Sequence, residues 1–406
     1  MTVTSAPPPF AVAVDTSDTS ENSAATDDIP FCRTEITEPA RLAALQVLAS
    51  GWVTMGTQTM AFEGEFAAWV GARHAVAVSS CTDALEMALA ALGLPPGSPV
   101  LTPTLTFCGA VQAIVRAGLR PVLVDVDERT MGVSVDTVAT AARRGAAAMV
   151  VQHMAGYPLD SAELAAAAGI DLSNVVEDAA HGLGATVGGR AVGSGARAVC
   201  FSFYATKNLP IWDGGAITTD DQELADRLRR VRLHGMSQDA WRRYHRSGTW
   251  RYLVDESGMK ANFTDVQAAV GREHLRSLAG WQRRRTEIAA RYDELLGQTP
   301  GLDLPPRPPG DQHAWHLYIV RVRDRFGSSR DDVVESLAAA GIGTSVHFIP
   351  VHHQPYFRRL LGPTECGSLP VADAVFPTLL SLPMHPGLSD PEIDRVAETL
   401  AALAAH

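Results

Sequence analysis

The chain has 406 residues, 46% of them hydrophobic, enough for a large core and for two or three domains. Its formal net charge of -11 offers no global attraction to polyphosphate, which argues against nucleic acid or an anionic membrane as partner of the whole surface and leaves any anionic ligand to a local site. No apolar run reaches a membrane span, no basic start followed by an apolar stretch marks a secretory signal, and the five cysteines show no paired spacing, so the cytoplasm and free thiols are expected.

Residues 1–30 mix Pro, Ser, Thr and Asp with too few large apolar groups to offset the entropy of ordering, and a disordered tail is expected there. Short apolar runs then alternate with helical patterns: HAVAVSS with TDALEMALAALGL, RPVLVDVD with SVDTVATAARRG, AAAMVVQHM with SAELAAAAG, and then NVVED. This alternation predicts an α/β domain over residues 31–275, with a mainly parallel sheet between helices. HLRSLAGWQRRRTEIAARYDELLGQ reads as one long linking helix, and the proline-rich TPGLDLPPRPPGD as the break after it. The linking helix and a smaller α+β domain are expected over residues 276–406, with strand HLYIVRV, helix SRDDVVESLAAAG, strand GTSVHFI and terminal helix PEIDRVAETLAALAA.

Ligands of open α/β sheets bind beyond the carboxyl ends of the strands, and the polar residues expected there form a set. Cys81, Thr82 and Asp83 follow HAVAVSS and open a helix, with Asp83 and Glu86 at capping-box spacing; the free N–H groups suit a phosphate. His153 follows AAAMVVQ, Asp178 and His181 follow NVVE, and Ser202 and Lys207 follow AVCF. Lys207 is one of only two lysines in a chain with 34 Lys plus Arg. Arginine serves equally well as a surface charge, but only the lysine amine can lose its proton and become a nucleophile. A lysine beside a phosphate cradle and an aspartate fits pyridoxal phosphate, whose aldehyde condenses with the amine and whose ring nitrogen pairs with a carboxylate. With a pKa of about 10.4 a free lysine is almost wholly protonated at pH 7, so the site must lower that pKa or store the amine as a Schiff base. The other lysine, Lys260, reads as a surface or phosphate-contacting charge.

Seven motifs occur in order: SCTDAL (Ser80 to Leu85), PTLTF (Pro103 to Phe107), EDAA (Glu177 to Ala180), FSFYATK (Phe201 to Lys207), the HG pair of His234 and Gly235, NFTDVQAA (Asn262 to Ala269) and WHLY (Trp315 to Tyr318). With them the chain, from about Phe31 to its C-terminus, resembles the DegT/StrS sugar aminotransferases, which are fold type I pyridoxal phosphate enzymes. The resemblance implies that Lys207 carries the cofactor as a Schiff base, that Asp178 pairs with the pyridine nitrogen, that His181 lies near the ring hydroxyl and that Phe107 stacks on the ring. Thr82, Asp83 and Ser202 would hold the phosphate with Cys81 beside them, and Asn262 would reach it from the neighbouring subunit of a homodimer. Cys81 stands where the family usually has glycine, Asp213 where it has glutamate, and Ala155 where an aromatic often lies. A ping-pong cycle is implied as well, in which glutamate gives its amino group to the cofactor, the cofactor gives it to a keto sugar carried on a nucleotide, and Lys207 moves the proton.

The stretch WRRYHRSGTWRY (Trp241 to Tyr252) mixes arginine with aromatics and reads as a local cradle for a nucleotide diphosphate. Trp241, Arg242, Arg243 and Tyr244, together with His347, are the expected substrate-binding residues. The residues after the HG pair resemble relatives that aminate C4 of 6-deoxy-4-keto sugars, which implies dTDP-4-keto-6-deoxyglucose. A 3-keto sugar nucleotide, a keto-inositol and a non-catalytic pyridoxal-phosphate-binding regulator are the alternatives. The glycine-rich VGGRAVGSG (Val187 to Gly195) leads into a strand, so a hairpin turn explains it better than a dinucleotide loop. His347, His352 and His353 show no ligand spacing such as H-E-x-x-H, and no metal is expected.

Overall fold

The computed structural model describes residues 28–237, 252–366 and 368–404. Thr37 caps α1 (Glu38–Ser50) by accepting from the Ala40 N–H, and α2 (Thr57–Val70) follows with Phe62 and Phe66 buried. Strand–helix units then alternate: β1 (His74–Val78), α3 (Cys81–Ala91), β2 (Pro99–Pro103), α4 (Cys108–Arg116), β3 (Arg120–Val124), α5 (Val135–Ala142), β4 (Ala148–Gln152), α6 (Ser161–Ala168) and β5 (Val175–Asp178). A hairpin of β6 (Thr186–Val187) and β7 (Arg190–Ala191) precedes β8 (Ala198–Ser202), β9 (Gly215–Thr219) and α7 (Gln222–Val231). Gly188 and Gly189 turn that hairpin with φ of 57° and 75°, as a two-residue turn with both central residues left-handed requires, so the glycine-rich stretch makes a hairpin.

The main sheet has the order β1-β9-β8-β5-β4-β2-β3; β9 runs antiparallel to both neighbours and the other pairings are parallel. Its strands are apolar on both faces because both are covered. Along β8, Val199 and Phe201 pack with Phe62 and Phe66 on one side, while Ala198 and Cys200 pack with Leu85 and Leu89 of α3 on the other. Each such fully buried Val, Leu or Phe side chain contributes about 1.5–3 kcal/mol. A buried ion pair between Glu63 and Arg232 fastens α2 and the end of α7 to β1: Glu63 accepts from the Ala77 N–H (2.9 Å) and Arg232 donates to the Ala77 carbonyl (2.9 Å).

The long helix α8 (Asp265–Leu296) carries the chain from the first core into a second. It begins at Asp265 rather than His274, because Thr264 and Gln267 form a capping box in a stretch whose polar residues hide the apolar period. The expected boundary at residues 275 and 276 therefore falls inside one continuous helix. Beyond it lie β10 (Leu302–Asp303), β11 (Tyr318–Val322), α9 (Arg330–Ala339), α10 (Pro355–Cys366), α11 (Pro370–Val375), β12 (Leu379–Leu382) and α12 (Asp390–Leu403). β11 pairs with β10 and β12 and not with GTSVHFI, which meets the sheet through a bridge from Ser345 to Ser381 and through the His347 side chain on Ser381. That segment instead turns His347 and Phe348 toward the side of Phe107 and His181. Ile29, assigned by composition to the tail, is buried in the second core with its N–H on the Gly341 carbonyl (2.8 Å). Residues 1–27 of the expected tail lie outside the described residues. Cys32, Cys81, Cys108 and Cys200 are free thiols, and among the described residues no helix is long and apolar enough to cross a membrane.

Candidate active site

Residues at or just after the carboxyl ends of β1, β2, β4, β5 and β8 line one cavity of about 400 Å³, together with His316, His347 and Phe348 from the chain beyond α8. Asp178, the last residue of β5, is 4% exposed; its Oδ1 accepts from the Ala180 N–H (3.1 Å) and lies 4.0 Å from Cys81 Sγ. Burial raises its carboxyl above the usual range, opposed by the Ala180 N–H and by Lys207. Among the described residues Asp178 has no ion-pair partner, so a buried carboxylate lines the cavity.

Lys207 sits in the loop after β8, where its N–H bonds to the Tyr204 carbonyl (2.9 Å) and its Nζ lies 3.4 Å from His316 Nε2. Asn208 decides the direction of that contact. Its Nδ2 donates to the carbonyls of Leu183 (3.1 Å) and Ala314 (2.8 Å), so its Oδ1 is left to accept from His316 Nδ1 (3.2 Å). His316 Nε2 is then bare and accepts from the lysine. Burial first, and then the Lys207 charge, holds His316 well below its ordinary pKa and keeps it neutral. Burial lowers Lys207 itself from 10.5 to about 8, although Asp178, Cys81 and Cys32 each support its charge. The shift corresponds to roughly 3 kcal/mol against the ammonium form.

His181, 4% exposed, accepts from the Ala155 N–H at Nδ1 (3.2 Å), which leaves the proton of the neutral ring on Nε2; burial, then Lys207, depresses its pKa strongly. His347 is pushed down to about 4 by burial and by Lys207, and its Nδ1 meets Ser381 Oγ at 2.8 Å. Cys81 and Thr82 form the first turn of α3 at the cavity wall, with backbone N–H groups that helix geometry leaves free, and Ser202 lines the same cavity. Gly215 makes this packing possible, because a Cβ there would lie 2.6 Å from the Cys81 nitrogen. Phe107, 57% exposed, stands at the rim with its ring centroid 6.1 Å from that of Phe348.

Several expected residues lie elsewhere. The cap of α3 is Ser80, which accepts from the Asp83 N–H (3.0 Å), while Asp83 Oδ2 accepts from Ser79 Oγ (2.6 Å) and Ser80 Oγ (2.8 Å). The capping residues are thus Ser80 and Asp83 and not Asp83 and Glu86, and Asp83 does not line the cavity. Glu86 pairs with Arg116. His153 is buried away from the cavity between Glu177 Oε2 (3.2 Å) and the Leu159 N–H (3.2 Å). Gln152 lines the wall in its stead, with a buried Oε1 that has no partner. Asn262 bridges to Val78 and bonds to the exposed Lys260, outside this chain's own cavity. Trp241, Arg242, Arg243 and Tyr244 lie outside the described residues.

Sequence reasoning missed Asn208, Gln152, Cys32, Thr206 and Phe348, and it gave His316 no role although WHLY contains it. The available signal was the pair Lys207–Asn208 set against His316, which are 109 and 108 residues apart and meet only in the folded chain. The arrangement suits pyridoxal phosphate: an amine of lowered pKa, an unpaired buried carboxylate, a helix N-terminus for the phosphate and an orphaned amide oxygen share one cavity.

Comparison with known proteins agrees. Residues 34–401 match the DegT/DnrJ/EryC1/StrS aminotransferase family. The spore coat polysaccharide biosynthesis protein SpsC of Bacillus subtilis is 43% identical over 357 residues, covering 87% of this chain and 92% of SpsC. The aminotransferase TlmJ of Streptoalloteichus hindustanus superposes with a TM-score of 0.84 at 34% identity, over 93% of this chain and 99% of its own. DesV of S. venezuelae, solved with a ketimine intermediate, gives 0.82 at 34% over 93% and 100%. Spr1654 of Streptococcus pneumoniae, assigned as a sugar aminotransferase and solved in its PMP form, gives 0.85 at 29% over 93% and 99%. The chain belongs to the DegT/DnrJ/EryC1/StrS family and is a sugar aminotransferase that uses pyridoxal phosphate.

Proposed function

We propose that the enzyme moves an amino group from glutamate to a nucleotide-linked keto sugar, dTDP-4-keto-6-deoxyglucose, at C4. Lys207 would bind the cofactor aldehyde, Asp178 would keep the ring nitrogen protonated, His181 would offer Nε2–H to the ring hydroxyl and Phe107 would cover the ring. Thr82 and Ser202 would hold the phosphate at the start of α3, with the Cys81 backbone beside them. When bound, the cofactor supplies an electron sink and a carrier for the amino group. Lys207 Nζ, once freed, takes the proton from the α carbon of the donor and returns it in the second half of the cycle. The observation that carries this reading is the relay from Asn208 through His316 to Lys207, which aims a neutral acceptor at an amine that titrates near physiological pH.

The sugar assignment rests on the HG pair and on the arginine-rich stretch after it, and the likeness to SpsC, a polysaccharide biosynthesis protein, favours a sugar over an inositol. A panel of keto sugar nucleotides with glutamate tests it: the 4-keto-6-deoxy substrate should turn over fastest, and faster turnover of a 3-keto isomer would refute the C4 assignment.

The working unit is proposed to be a homodimer in the cytoplasm. Leu42, Leu45 and Leu48 recur at every third position along α1 and are 51%, 59% and 54% exposed, and Trp52, Val53 and Met60 extend this apolar surface. Asn262 is proposed to reach the partner's phosphate site. Mixing Lys207→Ala with Asn262→Ala subunits should restore part of the activity, whereas no recovery after verified exchange would place each site within one chain.

A further inference from the structure

His352 and His353 end a single 3-10 turn (Val351–His353), and Asp373 lies in α11. Their ligand atoms all fall within 4.8 Å of one another. Nε2 of His352 lies 2.8 Å, and Nε2 of His353 2.7 Å, from the same Asp373 Oδ1. His352 is buried, while the side chains of His353 and Asp373 are 38% and 50% exposed, so the trio is anchored on one side and open to solvent on the other. We propose that it is a site for a divalent transition metal, Zn²⁺ in preference, bound by the two Nε2 atoms and the Asp373 carboxylate, with water as the fourth ligand.

Two imidazoles and one carboxylate suit zinc better than magnesium or calcium, which prefer sets made of oxygen. The surrounding hydrogen bonds also allow it. A metal on His352 Nε2 requires the ring proton on Nδ1, and Thr104 Oγ1 stands 2.7 Å from Nδ1. A hydroxyl can donate or accept, so His352 can change tautomer on metal binding without orphaning either group. Tetrahedral ligands at about 2.0–2.1 Å from zinc stand about 3.3 Å apart, so Asp373 needs to withdraw by about half an ångström. Its carboxylate is free to do so, because among the described residues it accepts only from these two imidazoles. Adjacent histidines and an aspartate twenty residues later match no standard ligand spacing, so sequence spacing alone does not point to this site. The Val351 N–H also bonds to the Thr104 carbonyl (2.8 Å), so the site borders the loop between β2 and α4 that carries Phe107.

The test is a titration of the chelator-stripped, cofactor-loaded full chain with Zn²⁺ against a chromophoric chelator at about pH 7.5. One Zn²⁺ per chain should bind with micromolar or tighter affinity. His353→Ala, which alters a partly exposed side chain and leaves the fold intact, and Asp373→Asn, which keeps the size, should each weaken binding about tenfold or more. Binding weaker than about 0.1 mM, or binding unchanged in both variants, would overturn the proposal and leave a hydrogen-bonded trio only.

Discussion

If burial lowers Lys207 to about 8, its reactivity must carry that value. At pH 7 an amine of pKa 8 is neutral in about 9% of molecules, against about 0.04% at the reference 10.4, a gain of about 200-fold in nucleophile. The chain offers a clean assay because it has only two lysines, in separate peptides around Lys207 and Lys260. Cofactor-free protein is pulsed with a small acylating reagent across pH 6 to 10.5, and each peptide is quantified by mass spectrometry. Labelling of Lys207 should rise about tenfold per pH unit up to about 8 and then level off. In Asp178→Asn the levelling should come at lower pH, because the lost carboxylate is the largest support for the ammonium. A wild-type curve still climbing steeply at pH 10 would refute the reasoning, since burial would then not weaken the ammonium.

If Asp178 pairs with the pyridine nitrogen as proposed, Asp178→Asn should leave the cofactor bound yet reduce turnover about 100-fold or more, as measured by steady-state kinetics beside a cofactor-binding titration. Asn208→Ala should cost about 1 kcal/mol in urea unfolding and slow the glutamate half-reaction, because His316 is freed to protonate Nε2 and can no longer accept from Lys207. Glu63→Ala should cost about 3–5 kcal/mol by leaving Arg232 buried without its partner, as read from the same unfolding curves. Stability should fall in acid. His347 and His385 titrate near 4 when folded but near 6.5 when unfolded, so the unfolded chain binds more protons between those values. No stability is lost above about pH 6.5, and about 2 kcal/mol per group is lost by pH 5, which denaturant titrations at pH 7 and 5 will measure.

The sheet was legible because strands buried on both faces read as continuous apolar runs, and because chemistry in such sheets gathers at the carboxyl ends. Lys207 stood out by arginine usage alone. His153 misled for a related reason: it does follow a strand, but Glu177 of the adjacent strand and the Leu159 N–H draw its ring into the core. The early start of α8 was hidden because Asp265 and Gln267 interrupt the apolar residues of its first turn, which depends on the Thr264 capping box. The helix α1 escaped notice because its exposed leucines blur the apolar stripe that marks a helix facing the core. GTSVHFI carries strand-forming residues, yet His347 and Phe348 are committed to the cavity and the third strand forms at Leu379–Leu382. No local pattern could reveal that Asn208 fixes the tautomer of a histidine 108 residues away.

The central claim is that Lys207 is the catalytic amine, and a single-turnover reaction with glutamate tests it most directly. Cofactor-loaded enzyme is mixed with excess glutamate without any sugar, and 2-oxoglutarate is counted per chain. The account predicts close to one equivalent from the wild type and from Lys260→Arg, and none from Lys207→Arg, which keeps the charge but loses the nucleophile. One equivalent from Lys207→Arg at the wild-type rate would contradict it.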